Sequence, residues 1–140
     1  TFHQGRIRSI TGANPAAGAE VSETVPNATR WRLMALRIIL TTDGTAANRR
    51  MELTIDDGAV IFSTHKSSVQ QTATLTWNYN MLPGLGFEQT TLVVDTLNIG
   101  LPPLLLAEGY RLRTVTASIQ AGDDYAAPQY VVEEFVDADA

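Results

Sequence analysis

Few side chains in this sequence could carry out chemistry, and none of them stands in a catalytic pattern. The chain has two histidines, His3 and His65, and no cysteine, which excludes a disulfide or a thiolate metal site. His65 precedes Ser67 and Ser68, but no strand–turn–helix nucleophile elbow surrounds these serines. The sequence therefore predicts that the protein is not an enzyme.

Two pairs of adjacent aspartates could offer oxygen ligands to a metal ion. Asp56-Asp57 and Asp123-Asp124 lack the spaced ligands of a dedicated calcium loop. Both pairs stand next to a glycine, and aspartate beside glycine is typical of turns. We predict no metal site, no catalytic or cofactor-binding residue and no cofactor.

The charge of the chain is unevenly distributed along its length. The net charge is −5, yet residues 1–50 contain seven arginines and three acidic residues. After Arg113 there are six acidic residues and no lysine or arginine. An acidic protein is unsuited to neutralising phosphates, and no run approaches the length of a membrane helix, so we predict neither a nucleic-acid nor a membrane partner. The acidic segment is either a solvated tail or a contact to the basic first part of another subunit.

The elements that must position these groups have the two-residue period of half-buried strands. In RMELTID (50–56) the apolar side chains alternate with polar ones, and Asp57-Gly58 then supplies a hairpin turn. ATLTWNYN (73–80) alternates in the same way. Eight segments are predicted as strands: 5–11, 31–42, 50–56, 59–63, 73–80, 90–98, 110–120 and 129–136.

Two of these segments carry more specific expectations. Residues 31–42 are apolar at consecutive positions and are predicted to form a central strand buried on both faces. In residues 110–120 the alternation changes phase, so a β-bulge or a bend is expected near Arg113–Thr114.

The fold predicted from these segments is all-β, because no segment has a capped helical period. We expect one domain over residues 1–140, a single antiparallel β-sandwich that is jelly-roll-like and has about eight strands. Residues 1–30 could form an extended N-terminal arm, and residues 124–140 form an acidic C-terminal segment.

Four aromatic residues leave two interpretations open. Trp31, Trp77, Tyr79 and Tyr110 could form a sugar-binding platform on a sandwich, or they could belong to its core. Their alternation with leucine and threonine favours the core.

The segment LPPLLLAEGYRLRT (101–114) places apolar residues where neither a helix nor catalysis explains them. Its two prolines disfavour a helix, and we interpret residues 101–106 as a crossing between sheets, with Gly109 as a joint. The leucines either cap the core or contact a partner. If this loop and the MLPGLGFEQ loop gather, they form an apolar patch with arginines at its rim. The candidate interface residues are Leu82, Leu85, Phe87, Leu101, Leu104, Leu105, Leu106, Arg6, Arg8, Arg30 and Arg32.

Residues 31–58, WRLMALRIILTTDGTAANRRMELTIDDG, resemble small structural proteins of tailed bacteriophages. The later LPPLLLAEGYRLRT and AGDDY segments are similar to the closing strands of such modules, so the resemblance spans residues 31–125. It implies a virion protein that decorates the capsid as a cement protein. Such a protein is made in the host cytoplasm, forms a homotrimer on the capsid surface, and bridges capsid subunits by binding the major capsid protein or another virion protein. The alternative is a carbohydrate- or receptor-binding β-sandwich of a phage neck, tail or fibre.

Overall fold

Two β-sheets packed face to face make up the protein, which a computed structural model describes over residues 5–84 and 89–137. The strands in these residues are β1 (Arg6–Thr11), β2 (Ser22–Thr24), β3 (Thr29–Thr41), β4 (Arg50–Asp56), β5 (Ile61–Lys66), β6 (Thr76–Pro83), β7 (Thr96–Leu101), β8 (Leu105–Leu106), β9 (Arg111–Ala117), β10 (Asp124–Tyr125) and β11 (Gln129–Val136). The predicted all-β sandwich is confirmed. There are more strands than expected because β2, β8 and β10 are too short to produce an alternating pattern.

The larger sheet has the strand order β1-β11-β3-β6-β7, with β8 and β10 also paired to β3. The smaller sheet has the order β2-β9-β4-β5. Every named pair is antiparallel except β6 with β7, which is parallel. Their connection, residues 84–95, has the length that a crossover between parallel strands requires. The described residues contain no helix long and apolar enough to cross a membrane.

The central strand β3 is buried on one face only, so the prediction of two buried faces is wrong. Leu33 pairs with Val132 and Ala35 with Val131, which leaves Met34 as the extra residue of a β-bulge. The bulge moves the core-facing positions from odd numbers before Met34 to even numbers after it. The apolar run in the sequence arises from this change of phase.

The bulge predicted near Arg113–Thr114 in β9 is absent, because β9 pairs with β4 in an unbroken register. Thr114 and Thr116 are buried in phase with Leu112, whereas Val115 is exposed. Both threonine hydroxyls donate to the carboxylate of Glu20. A buried hydroxyl with a partner is tolerated in a core, so polar residues here occupy core positions.

The strands on either side of residues 101–106 begin and end at positions that differ from those predicted. The strand predicted over residues 90–98 begins only at Thr96, after a tight turn. Strands β7 and β8 both belong to the larger sheet and β9 to the smaller one, so the chain crosses between the sheets at residues 107–110. The prediction that residues 101–106 form the crossing is wrong, because Leu105 and Leu106 pair with β3 in the larger sheet. Gly109 has φ +79°, a conformation that favours glycine.

The first part of the chain contributes to both sheets. Strand β1 pairs with β11 at the edge of the larger sheet, and β2 pairs with β9 at the edge of the smaller one. Residues 6–11 and 22–24 are therefore built into the sandwich, whereas the sequence allowed residues 1–30 to form an arm. The predicted hairpin of β4 and β5 is also present, with Gly58 at φ +97° in its turn.

The core between the sheets contains most of the aromatic residues in the part of the chain that the structure describes. Trp31, Trp77 and Tyr79 are buried in it, and Tyr110 packs against it in a partly buried position. The Tyr79 hydroxyl donates to the Gln71 amide oxygen at 2.8 Å. These aromatic residues belong to the core and do not form an exposed platform for sugars.

A buried ion pair closes one end of the sandwich. Arg49 is fully buried, and its Nε and Nη2 atoms donate to the Asp123 carboxylate at 2.9 and 3.0 Å. Nη2 also donates to Asp43 at 2.7 Å. The aspartate pair at 123–124 therefore serves the ion pair and a turn, and no group of three or more metal-binding side chains occurs in the part of the chain described.

Candidate docking surface

Glu134 is a buried carboxylate at the junction of three strands. It accepts hydrogen bonds from Arg6 Nη2 at 3.0 Å, Arg8 Nη1 at 2.8 Å and Trp31 Nε1 at 2.9 Å. Burial alone would raise the pKa of Glu134, but the hydrogen bonds from Trp31 and the two arginines outweigh it and lower the pKa below 4.5. Arg6 and Arg8, which the sequence placed at an interface rim, thus hold the edge strand β1 to β11.

Arg30 and Arg32 lie on the outer face of the larger sheet, which is turned away from the smaller sheet. Their guanidinium carbons lie 5.7 and 6.0 Å from the centre of the Phe135 ring, within cation–π range. Arg30 pairs with Asp137 at 3.0 Å, and Arg32 with Glu133 at 3.3 Å. The basic first part and the acidic last part of the chain therefore meet within one chain, although the sequence allowed a contact between subunits or a solvated tail.

The leucines of residues 101–106 divide into core and surface positions. Leu101 and Leu106 are buried, and Leu104 packs partly against the core. Leu105 is 51% exposed, and Leu82 is half-buried. The core-capping interpretation therefore holds for the first and last leucine, whereas Leu105 remains available to a partner. The two other candidates, at positions 85 and 87, lie outside the described residues.

The outer face carries a group of exposed apolar and arginine side chains, with Glu133 among them. The strand register places Ile7, Glu133, Arg32 and Leu105 in one row across β1, β11, β3 and β8. Ile7 is 59% exposed, and Met34 in the adjacent bulge is 45% exposed. We call Ile7, Arg30, Arg32, Met34, Leu105 and Phe135 the apolar–arginine patch. Methionine, arginine and aromatic residues are the types enriched at protein interfaces.

The outer face of the smaller sheet also pairs its charges within the chain. Asp56 accepts hydrogen bonds from Arg111 Nε at 2.7 Å and Arg113 Nε at 2.6 Å. Burial would raise the pKa of Asp56, but these hydrogen bonds, together with one from the Gly58 amide, lower it. Apart from Val115, the exposed large apolar residues of this sheet belong to its edge strand and the adjoining turn.

A groove of about 370 Å³ lies beside the patch on the larger sheet. It is lined by Ser9, Ala35, Leu36, Arg37, Asn80, Leu82, Asn98, Gln129, Tyr130 and Val131. Gln129, Arg37, Asn80 and Asn98 stand in one row across four strands. Arg37 donates to Asn78 at 2.8 Å and has no ion pair among the described residues. The groove thus combines apolar side chains with amides and one cation that lacks a carboxylate.

This groove was not predictable from the sequence, and the bulge explains why. Ala35 is small and follows Met34, so the change of phase leaves an open space between the larger side chains of the neighbouring strands. Without knowledge of the bulge, the sequence does not distinguish Arg37 from the other arginines that flank this apolar strand. The alternating amides Asn78 and Asn80 were the one available signal for a polar outer face.

His65 and the two serines that follow it form hydrogen bonds within the chain. The Nε2 atom of His65 lies 2.7 Å from the Ser63 hydroxyl, on the hairpin of the smaller sheet. Ser67 is buried, and its hydroxyl donates to the Val69 carbonyl at 2.8 Å. The other histidine lies outside the described residues.

Comparison with known proteins gives distant structural matches only. No protein-family model matches the sequence, and no curated protein matches it. Among solved structures, the T13 IBDV viral particle matches with 12% identity and a TM-score of 0.40, over 93% of this chain and 31% of that chain. The Gt strain of infectious bursal disease virus matches with 14% identity and a TM-score of 0.34, over 94% and 33% of the two chains.

A carbohydrate-binding module also matches this fold. CBM35 from Cellvibrio japonicus Abf62 has 16% identity and a TM-score of 0.30, over 96% of this chain and 89% of that chain. The present chain spans about a third of the length of the viral proteins it matches. With identities of 16% or less and TM-scores of 0.40 or less, these matches indicate no function for this chain.

Proposed function

We propose that the protein is a non-enzymatic structural protein of a virus particle, specifically a decoration (cement) protein of a tailed-bacteriophage capsid. It is made in the host cytoplasm, binds the major capsid protein on the capsid surface as a homotrimer, and bridges capsid subunits. The observation that carries this proposal is the apolar–arginine patch. Exposed Ile7, Met34 and Leu105 lie beside arginines on one face, whereas the exposed large apolar residues of the opposite sheet, apart from Val115, belong to its edge strand and the adjoining turn.

The composition of the patch suits docking onto a protein surface. Burial of about 400 Å² of apolar surface contributes roughly 10 kcal/mol of transfer free energy at ~25 cal/mol per Å². Association entropy offsets much of this gain, so several linked copies are needed for tight binding. Phe135 and the neighbouring acids already hold Arg30 and Arg32 in place, which reduces the side-chain entropy lost on binding.

The alternative function, a carbohydrate- or receptor-binding module of a neck, tail or fibre, draws no support from the buried aromatic residues. Trp31, Trp77 and Tyr79 fill the core, so they cannot stack on a sugar ring. The apolar–arginine patch contains a single aromatic ring, Phe135, and two guanidinium groups lie over it.

Replacing Met34 and Leu105 together by aspartate is expected to weaken binding to the shell by about 100-fold or more, because both charges would be buried at the interface. Both residues are exposed, so the variant is expected to fold. The measurement is co-sedimentation with empty shells assembled from the major capsid protein of the same genome. Val60→Asp with Val115→Asp on the smaller sheet is the matched control and should bind as the native protein does. Loss of binding in the control alone would place the docking surface on the other sheet.

A further inference from the structure

The turn between β6 and β7 exposes an apolar residue in a strained conformation. Val93 and Thr96 close the turn through two backbone hydrogen bonds of 3.1 Å. At its tip Val94 is 93% exposed and has φ +62°. A β-branched residue in this left-handed region is a genuine outlier, and such strain persists where a function requires it. The contacts of Val94 within its own chain do not account for a valine here, since its side chain is almost entirely in solvent.

The same turn carries a carboxylate without a cation. Asp95 is exposed, and its Oδ1 accepts a hydrogen bond from the neighbouring Thr96 hydroxyl at 3.0 Å. It forms no ion pair within the described ranges. Val93 is also exposed, so the tip presents two valines followed by an acid. An exposed apolar side chain with a neighbouring carboxylate is complementary to an apolar groove with a neighbouring cation.

The groove on the larger sheet has these features. Ala35, Leu82 and Val131 supply its apolar surface, and Arg37 supplies a guanidinium group without a carboxylate partner in the described chain. The neighbouring amides of Asn80 and Asn98 offer donors and acceptors to the backbone of an inserted turn. Because Val94 is so exposed, it does not occupy the groove of its own chain.

We infer that the Val93–Asp95 turn of one copy of the protein inserts into the groove of a second copy. Val94 packs on Ala35, Leu82 and Val131, and the Asp95 carboxylate pairs with the Arg37 guanidinium. The two surfaces differ, so the contact is head-to-tail, and contacts of this type form closed rings when the rotation between copies permits. The inference rests on the proposed function, in that this contact would build the homotrimer. In a ring each copy makes two such contacts, which compensates for the small area of each one.

The most informative variant is Val94→Gly, because glycine adopts a positive φ without strain. We expect this variant to be at least as stable as the native protein in urea unfolding, while the dissociation constant of the assembly rises by about tenfold or more. The mass is measured by sedimentation equilibrium, where the native protein should give three times 15.2 kDa. Val60→Gly, at an exposed valine beside the hairpin turn of the smaller sheet, is the matched control and should leave the mass unchanged.

A charge exchange tests the ion pair independently. Asp95→Arg and Arg37→Asp should each dissociate the assembly, and the double variant should restore it. If Val94→Gly and both single charge variants keep the native mass, or if the native protein is a monomer, the inference is wrong. Failure of the proposed function gives a different result, since loss of shell binding is tested at Met34 and Leu105. A normal oligomer that does not bind shells would contradict only the proposed function.

Discussion

Replacing Arg49 by leucine is expected to lower the free energy of unfolding by about 3–5 kcal/mol at pH 7. Arg49 is fully buried and supplies the cation for Asp123, which is itself buried. Leucine fills part of the space but leaves the Asp123 carboxylate in the core without a positive charge. The measurement is urea unfolding. Arg50→Leu is the matched control, because the adjacent half-buried Arg50 donates to the Ser67 carbonyl, and losing that bond should cost about 1 kcal/mol.

The effect of Arg49→Leu should also depend on pH. Burial alone would raise the pKa of Asp123, but hydrogen bonds from Arg49 and from backbone amides outweigh burial and lower the pKa below 3.8. A carboxyl group with a lower pKa in the folded state stabilises the fold above the unfolded pKa, and this contribution is lost as the pH falls through the folded pKa. The difference between the native protein and Arg49→Leu should therefore narrow as the pH falls toward and below 3.8. A difference that stays constant from pH 7 to pH 2 would argue against this account.

Two adjacent leucines in β8 are expected to respond in opposite ways to truncation. Leu106→Ala should lower the free energy of unfolding by about 2–5 kcal/mol, because Leu106 is 1% exposed and its loss leaves a cavity. Leu105→Ala should change it by no more than about 0.5 kcal/mol, since Leu105 lies on the surface. The register gives the reason, because Leu106 pairs opposite buried Trp31 and Leu105 opposite exposed Arg32.

Urea unfolding and shell co-sedimentation, measured on both variants, separate core packing from shell binding. Leu105→Ala should weaken shell binding while leaving stability intact, and each serves as the control for the other. Equal destabilisation by the two substitutions would mean that both leucines only cap the core.

Strands with a strict two-residue alternation were predictable from the sequence. Met51, Leu53 and Ile55 in β4, and Trp77 and Tyr79 in β6, face the core as their spacing indicates. The reason is physical, because a strand in a sandwich buries one face and exposes the other. The positions at which a strand departs from this alternation could not be predicted in the same way.

Two errors show what a local pattern leaves out. The bulge at Met34 shifts the phase of β3, and in a sequence this shift looks the same as burial on both faces. In β9 the buried positions include Thr114 and Thr116, whose hydroxyls are satisfied by Glu20 from a distant part of the chain. In both strands, the residues that pair with the strand or satisfy its hydroxyls lie far away in the sequence.

The candidate docking surface was also only partly predictable from the sequence. Composition drew attention to the arginines and to the leucines of residues 101–106, but not to what each one contacts. Arg6 and Glu134 are 128 positions apart, and only the pairing of β1 with β11 brings them together. That pairing takes Arg6 and Arg8 away from the predicted rim and leaves Arg30, Arg32 and Leu105 on the exposed face.

The central claim is that the outer face of the larger sheet docks onto the shell, and thiol labelling tests it most directly. The chain has no cysteine, so one introduced cysteine reports on one position. Met34→Cys, Leu105→Cys and Val115→Cys are labelled with a maleimide, free and bound to shells. The account predicts that labelling at Met34→Cys and Leu105→Cys slows by at least about tenfold on binding, while Val115→Cys reacts at an unchanged rate. Protection of Val115→Cys, with unaltered reactivity at Met34→Cys and Leu105→Cys, would contradict it.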